Sequence, residues 1–110
     1  MFKAKYYDYL RKYVYSDLSN VKFLIEKKGL NVNYADVNGW TPLMHAIAGG
    51  QVNIINYLIS AGANIKFKNQ YGETVFDIVD RKGTTAVKNL FKQFHSNNDS
   101  IPKISNDLSF

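Results

Sequence analysis

One stretch of this chain recurs 33 residues further on, and that recurrence limits the fold more than any other feature. Asn38-Gly39-Trp40-Thr41-Pro42-Leu43-Met44 aligns with Tyr71-Gly72-Glu73-Thr74-Val75-Phe76-Asp77, glycine on glycine and threonine on threonine. Upstream, Gly29-Leu30-Asn31-Val32 aligns with Gly62-Ala63-Asn64-Ile65 at the same spacing. Val21–Ile25 resembles Ile55–Ile59 at a spacing of 34, which places one extra residue in Glu26-Lys27-Lys28, at a helix end. A period of this length marks a stack of small units, each unable to bury its apolar face alone.

The local chemistry of the central unit is helical. Thr41 before Pro42 reads as an N-cap followed by Pro at the first helical position, which satisfies a free amide and presets φ. Leu43, Ala46 and Ile47 then form an apolar stripe at helical spacing, and Gly49-Gly50 closes this short helix. A second helix carries Val52, Ile55, Leu58 and Ile59 and ends at Gly62. Ala63–Gly72 is rich in turn formers, with Asn64, Asn69 and Gly72. Leu43, Ala46, Ile55, Leu58 and Ile59 are the expected core. The small residues Ala46, Ala48 and Gly49 let neighbouring helices approach closely.

Thr-Pro-Leu at this period, with the Leu-Ile and Ala-Gly-Ala-Asn tail that follows it, resembles the ankyrin-repeat family over about Asp17 to Phe94. The resemblance implies an all-α solenoid of about three helix-turn-helix units, with short hairpin loops near 34–41 and 67–74. The units fall at about 1–35, 36–68 and 69–95, so that the domain is 1–95 and 96–110 is a tail expected to be disordered. The outer units are altered caps. The first lacks Thr-Pro-Leu and has the Tyr-rich helix Phe2–Tyr13, then a helix from the N-cap Asp17 to about Lys27. The last keeps Gly72 and Thr74, replaces Pro with Val75, and ends in a helix from Thr85 to His95 with Val87, Leu90, Phe91 and Phe94 on its apolar face. Met44 stands where the family usually has a histidine that braces the hairpin.

Composition narrows the function classes. The 110 residues fit a single domain, and 45% apolar content is globular rather than disordered. With no cysteine there is no disulfide, thiolate zinc site or cysteine nucleophile. The N-terminal MFKAKYYDYLRKY lacks the apolar stretch of a secretory signal, and no run reaches the ~18 apolar residues of a membrane span. The expected location is the cytosol, of the producing cell or of a host cell for a secreted effector. The net charge of +5 lies within the ordinary range of soluble domains, ~2–8 in magnitude.

No phosphate-binding glycine loop, dinucleotide fingerprint or zinc-protease motif is present, so no cofactor, metal or catalytic residue is expected and the chain reads as a non-enzyme. His45 has no acid close by in sequence, and Asp77 or Asp80 would have to reach it across repeats. It reads as a helix residue near the repeat interface. His95 suits the end of the last helix, where a cation is favoured. Asp77 and Asp80 share a helical face and read as solvated or as charge at a helix N-terminus.

The ankyrin resemblance places binding on the hairpin tips and the concave face of the first helices. Carried over by position, the partner-binding residues are Val37, Asn38, Trp40, Lys68, Gln70, Tyr71, Glu73, Arg81 and Lys82, with Ala35, Ala48 and Gly49 at equivalent exposed positions. Trp, Tyr and Arg dominate interface hot spots. No charged residue lies between Val37 and Ile65, while Lys22, Lys27 and Lys28 precede this segment and Lys66, Lys68, Arg81, Lys82, Lys88 and Lys92 follow it. A neutral centre with a basic rim suits an acidic protein partner. The expected function is therefore protein binding by a monomer acting as an adaptor, an effector, or an inhibitor such as an immunity protein against a toxin. The alternative is nucleic-acid or anionic-lipid binding through the basic surface and the tyrosines of Phe2–Tyr15, which salt would weaken steeply.

Overall fold

The computed structural model describes residues 4–99, with side chains described for 4–94. Its elements are six helices in three consecutive pairs: α1 (Ala4–Tyr13) with α2 (Leu18–Glu26), α3 (Pro42–Gly49) with α4 (Val52–Ser60), and α5 (Val75–Lys82) with α6 (Thr85–Asp99). Within a pair the two helices pack on each other. Between pairs, α3 packs on α1 and α5, while α4 packs on α2 and α6. The result is an inner row of first helices and an outer row of second helices, joined by two turn-rich segments. No strand is formed among the described residues.

Several boundaries have a chemical cause in a capping residue. The Thr41 hydroxyl accepts from the Met44 amide at 3.3 Å, Pro42 occupies the first helical position, and Gly50 ends α3 with φ of 72°. The Asp17 carboxylate accepts from the Asn20 amide at 3.1 Å and starts α2. At α5, Val75 takes the place of Pro and is buried. The cap is instead completed from inside the helix, by the Asp77 carboxylate, which accepts from the Thr74 amide at 2.9 Å. Asp77 is thus a capping residue. The last helix runs past His95 to Asp99, so the expected tail starts inside α6, and His95 is not a helix end. Residues 100–110 lie outside the described residues.

The core is one cluster through all three pairs. Leu10, Val21, Leu43, Ala46, Ile47, Ile55, Leu58, Ile78, Val87 and Phe91 belong to it. Four of the five expected core residues are fully buried; Ile59 is only partly buried, while Ile54 and Met44 are buried. The central helices have neighbours on two flanks, so their apolar arc is wider than a single stripe.

The two turns repeat in atomic detail. Asp36 Oδ1 accepts from the Asn38 and Trp40 amides at 2.9 and 3.0 Å. Thirty-three residues on, Asn69 Oδ1 accepts from the Tyr71 and Glu73 amides at 2.9 and 3.0 Å. Each turn is closed by a 2.9 Å backbone bond, from the Asp36 amide to the Trp40 carbonyl and from the Asn69 amide to the Glu73 carbonyl. Neighbouring units are also tied directly. Asn33 Oδ1 accepts from the Asn64 amide at 2.7 Å, and the Asn38 carbonyl accepts from the Gln70 amide at 3.3 Å.

Candidate functional site: the hairpin and inner-helix face

The inner helices and turn tips present one continuous surface. A groove of about 360 Å³ is lined by Trp40, Tyr71, Glu73 and Arg81. An adjoining one of about 320 Å³ is lined by Tyr15, Asn38, Trp40, His45, Ala48, Tyr71 and Lys82. Trp40 and Tyr71 are walls of both. Of the nine residues expected to bind a partner, the structure gathers Asn38, Trp40, Tyr71, Glu73, Arg81 and Lys82 here. Val37 lies beside Trp40 but lines a different cavity, nearer α1. Lys68 and Gln70 are exposed and line neither groove.

Burial separates the aromatic pair. Tyr71 is 66% exposed, whereas Trp40 is partly buried against the core and its ring lies 5.1 Å from that of His45. Trp40 therefore packs and lines the groove at once. Charge is also less free than the sequence suggests. The Arg81 guanidinium donates to Glu73 Oε2 at 2.6 Å, so Glu73 answers the Arg81 charge. The hydrogen bond from the Asn69 side-chain amide holds the Glu73 carboxyl below its usual pKa against desolvation, with Arg81 adding to the lowering and the Asp77 charge opposing it.

His45 does find an acid: its Nε2 is 2.8 Å from Asp36 Oδ2, and its Nδ1 is 2.7 Å from the Tyr15 hydroxyl. The acid is nine residues upstream on the turn, and is neither Asp77 nor Asp80. Partial burial pushes the Asp36 pKa up, but hydrogen bonds from His45 and from the Trp40 and Asn38 amides outweigh it and hold the carboxyl below its usual range. An ionised Asp36 can only accept, so Nε2 carries the proton. In the neutral ring Nδ1 then accepts from the Tyr15 O–H. Burial, and then the Asp36 charge, raise the Tyr15 pKa, with Arg11 opposing. That is the wrong direction for a nucleophile. The chain of three is a brace, linking the end of α1 through α3 to the turn that carries Trp40. It does from position 45 what Met44, buried in the core, does not do.

The brace has a pH signature. A carboxyl whose folded pKa is depressed adds stability above its unfolded pKa, and that contribution is lost as pH falls through the lower folded value. Asp36→Asn keeps an Oδ1 acceptor, as Asn69 shows. It should cost about 1 kcal/mol at pH 7. The variant should also lose less of its remaining stability than the parent between neutral pH and about pH 3. Urea midpoints at the two pH values measure both; parallel acid losses would remove Asp36 from the account.

Three of the four α1 tyrosines are committed to packing, while Tyr9 is 42% exposed. Tyr7 stacks on Tyr34 with centroids 3.9 Å apart and accepts from the Asn31 amide at 2.7 Å, and Tyr6 and Tyr13 pack against the core. No described helix is long and apolar enough to cross a membrane.

Stacked helix pairs joined by tight turns, with an open face of turn tips and inner helices, define a repeat solenoid built for docking. Residues 7–59 match the family profile described as ankyrin repeats (many copies). Protein phosphatase 1 regulatory subunit 27 of Mus musculus is 39% identical over 64 residues, covering 58% of this chain and 41% of that protein. The putative ankyrin repeat protein YahD of Escherichia coli (strain K12) is 35% identical over 78 residues, covering 66% of this chain and 39% of its own. Ankyrin repeat and SAM domain-containing protein 6 of Rattus norvegicus is 36% identical over 66 residues, covering 60% of this chain and 8% of that protein. The chain thus spans less than half the length of each of these relatives. Among solved structures, a chain from the complex of the Bd0816 predatory endopeptidase of Bdellovibrio bacteriovorus with immunity protein Bd3460 is 29% identical, with a TM-score of 0.69, over 81% of this chain and 45% of that one. This chain belongs to the ankyrin-repeat family, and ankyrin repeats are protein–protein interaction modules.

Proposed function

We propose that this chain is a non-catalytic binding module that holds a partner protein on the face formed by its turn tips and inner helices, and that it acts as an inhibitor of that partner. The observation that carries the binding reading is the pair Trp40 and Tyr71, which wall both grooves, one ring anchored and the other exposed. Large aromatic groups placed this way are the usual anchors of interfaces. The inhibitor role is supported by likeness to a chain from a complex between a peptidase and an immunity protein. The binding set is Val37, Asn38, Trp40, Tyr71, Glu73, Arg81 and Lys82, with Lys68 and Gln70 at its edge. Lys82 and Lys68 supply the positive charge that favours an acidic partner surface.

Affinity capture from the native cell or its host supplies the partner, and variants then test the face. Tyr71→Ala and Arg81→Ala should each weaken binding by roughly 1–3 kcal/mol and leave the melting temperature nearly unchanged. Lys22 and Lys88, on α2 and α6, are controls whose loss changes only salt-sensitive association rates. Loss of binding on Lys22→Ala and Lys88→Ala, with none on Tyr71→Ala and Arg81→Ala, would move the site to the outer helices. A partner enzyme bound at stoichiometric amounts yet fully active would rule out the inhibitor role and leave an adaptor.

A further inference from the structure

A third cavity, of about 90 Å³, lies between α1 and the first turn, and Val37 and Trp40 are the only members of the expected binding set that line it. Its walls are Tyr7, Leu10, Tyr34, Val37, Trp40 and Pro42. Four of these are held from behind. Tyr7 and Tyr34 stack on each other, Leu10 and Pro42 are buried, and the stack is pinned by the bond from the Asn31 amide to the Tyr7 hydroxyl. The cavity is therefore preformed. Its outer lip is Val37, 89% exposed and the most exposed large apolar residue described.

The geometry points to this cavity as an anchor socket for one uncharged, branched aliphatic side chain of the partner protein, such as leucine, isoleucine or valine. The inference rests on the reading that a protein docks on this face, since Trp40 is a wall shared by the socket and both grooves. Charge decides the class of occupant. Besides the two tyrosines, Asp8, Arg11, Asp36 and His45 also line the socket, and each already has an answer within the chain. Asp8 pairs with Arg11 at 3.4 Å, and Asp36 is bonded to His45 and to two backbone amides. An entering ammonium or carboxylate would lose its hydration without finding an unanswered opposite charge. An aliphatic group meets ring faces and methyl groups and loses nothing. Size decides within the class. A cavity of ~150 Å³ holds benzene, so the smaller socket suits a branched aliphatic group better than a ring.

The test uses the whole chain and capped amino-acid amides, followed by NMR at the Trp40 indole, the sequence's sole tryptophan, and at the Val37 methyls. N-acetyl-leucinamide should shift both signals saturably, and N-acetyl-lysinamide should shift them at least fivefold less at equal concentration. Val37→Asp, which changes an exposed lip and leaves the core alone, should cut the leucinamide response at Trp40 several-fold; Lys88→Ala, on α6, should leave it intact. Equal or stronger response to lysinamide would overturn the assignment in favour of a cation socket. A stronger response to N-acetyl-phenylalaninamide would overturn the aliphatic choice, and silence with every probe would overturn the socket altogether. These outcomes concern the free protein. They are distinct from failure of the docking face, which shows as partner binding indifferent to Tyr71→Ala and Arg81→Ala.

Discussion

Leu58→Ala should lower the stability of this chain by roughly 2–5 kcal/mol, the range for removing a large aliphatic side chain from a packed interior. Leu58 has no solvent exposure and sits on α4, the helix that packs on α3 within its unit and on α2 and α6 to either side. The void would open where all three units meet. A single-domain chain has a stability of only about 5–15 kcal/mol, and one of 110 residues lies toward the lower end. Urea unfolding followed by far-ultraviolet circular dichroism gives the difference directly. A midpoint unchanged within error would mean that the buried face of α4 is assigned wrongly. Ile59→Ala, one residue on and only partly buried, should cost distinctly less.

Gly39→Ala should be a strongly damaging change in the first turn, and its repeat counterpart gives the internal control. Gly39 and Gly72 hold nearly the same backbone conformation, with φ of 76° and 77°. Both therefore carry the left-handed penalty of about 1–2 kcal/mol for an L side chain. Only Gly39 has a neighbour in the way. A Cβ there would lie 2.6 Å from the Gln70 backbone nitrogen and 3.1 Å from the Asn69 Cα, while at Gly72 it would meet open space. Backbone cannot step aside as a flexible side chain can, and the bond between the Asn38 carbonyl and the Gln70 amide would be pried apart. Gly72→Ala should thus cost about 1–2 kcal/mol, and Gly39→Ala clearly more than 2 kcal/mol. Equal losses at the two positions would show that the contact between successive turn tips contributes nothing.

Much of the fold is legible in the sequence because its boundaries are set by local chemistry. Thr41-Pro42 at the start of α3, Asp17 before α2 and Gly50 after α3 each act on a backbone group within a few residues. What needs the assembled stack is less legible. Ile54 and Met44 are buried because α3 and α4 have neighbours on two flanks, whereas a single stripe at helical spacing favours Ile59. The His45 brace joins residues 15, 36 and 45, and nothing about a histidine in mid-helix announces a tyrosine thirty residues earlier. The Asp in the turn was the available signal: a side chain that caps its own turn with one oxygen keeps the other for a nearby donor. Arg81 shows the same limit from the opposite side. It looks free in a basic run, but α5 returns it to Glu73, eight residues back on the turn. The cavity behind Val37 was out of reach for the same reason, since its walls come from α1, the first turn and α3.

The grooves draw on all three units at once: Tyr15 comes from the first, Trp40, His45 and Ala48 from the second, Tyr71 and Lys82 from the third. In a linear stack the outer units lean on the middle one, and each can peel away at a free-energy cost well below that of global unfolding. A partner seated across the grooves would touch both outer units as well as the middle one. It would act as a lateral splint, and fraying of either end would have to break the complex first. Binding energy would then appear as raised cooperativity of the whole chain, with the terminal pairs gaining more amide protection from hydrogen exchange than the central pair.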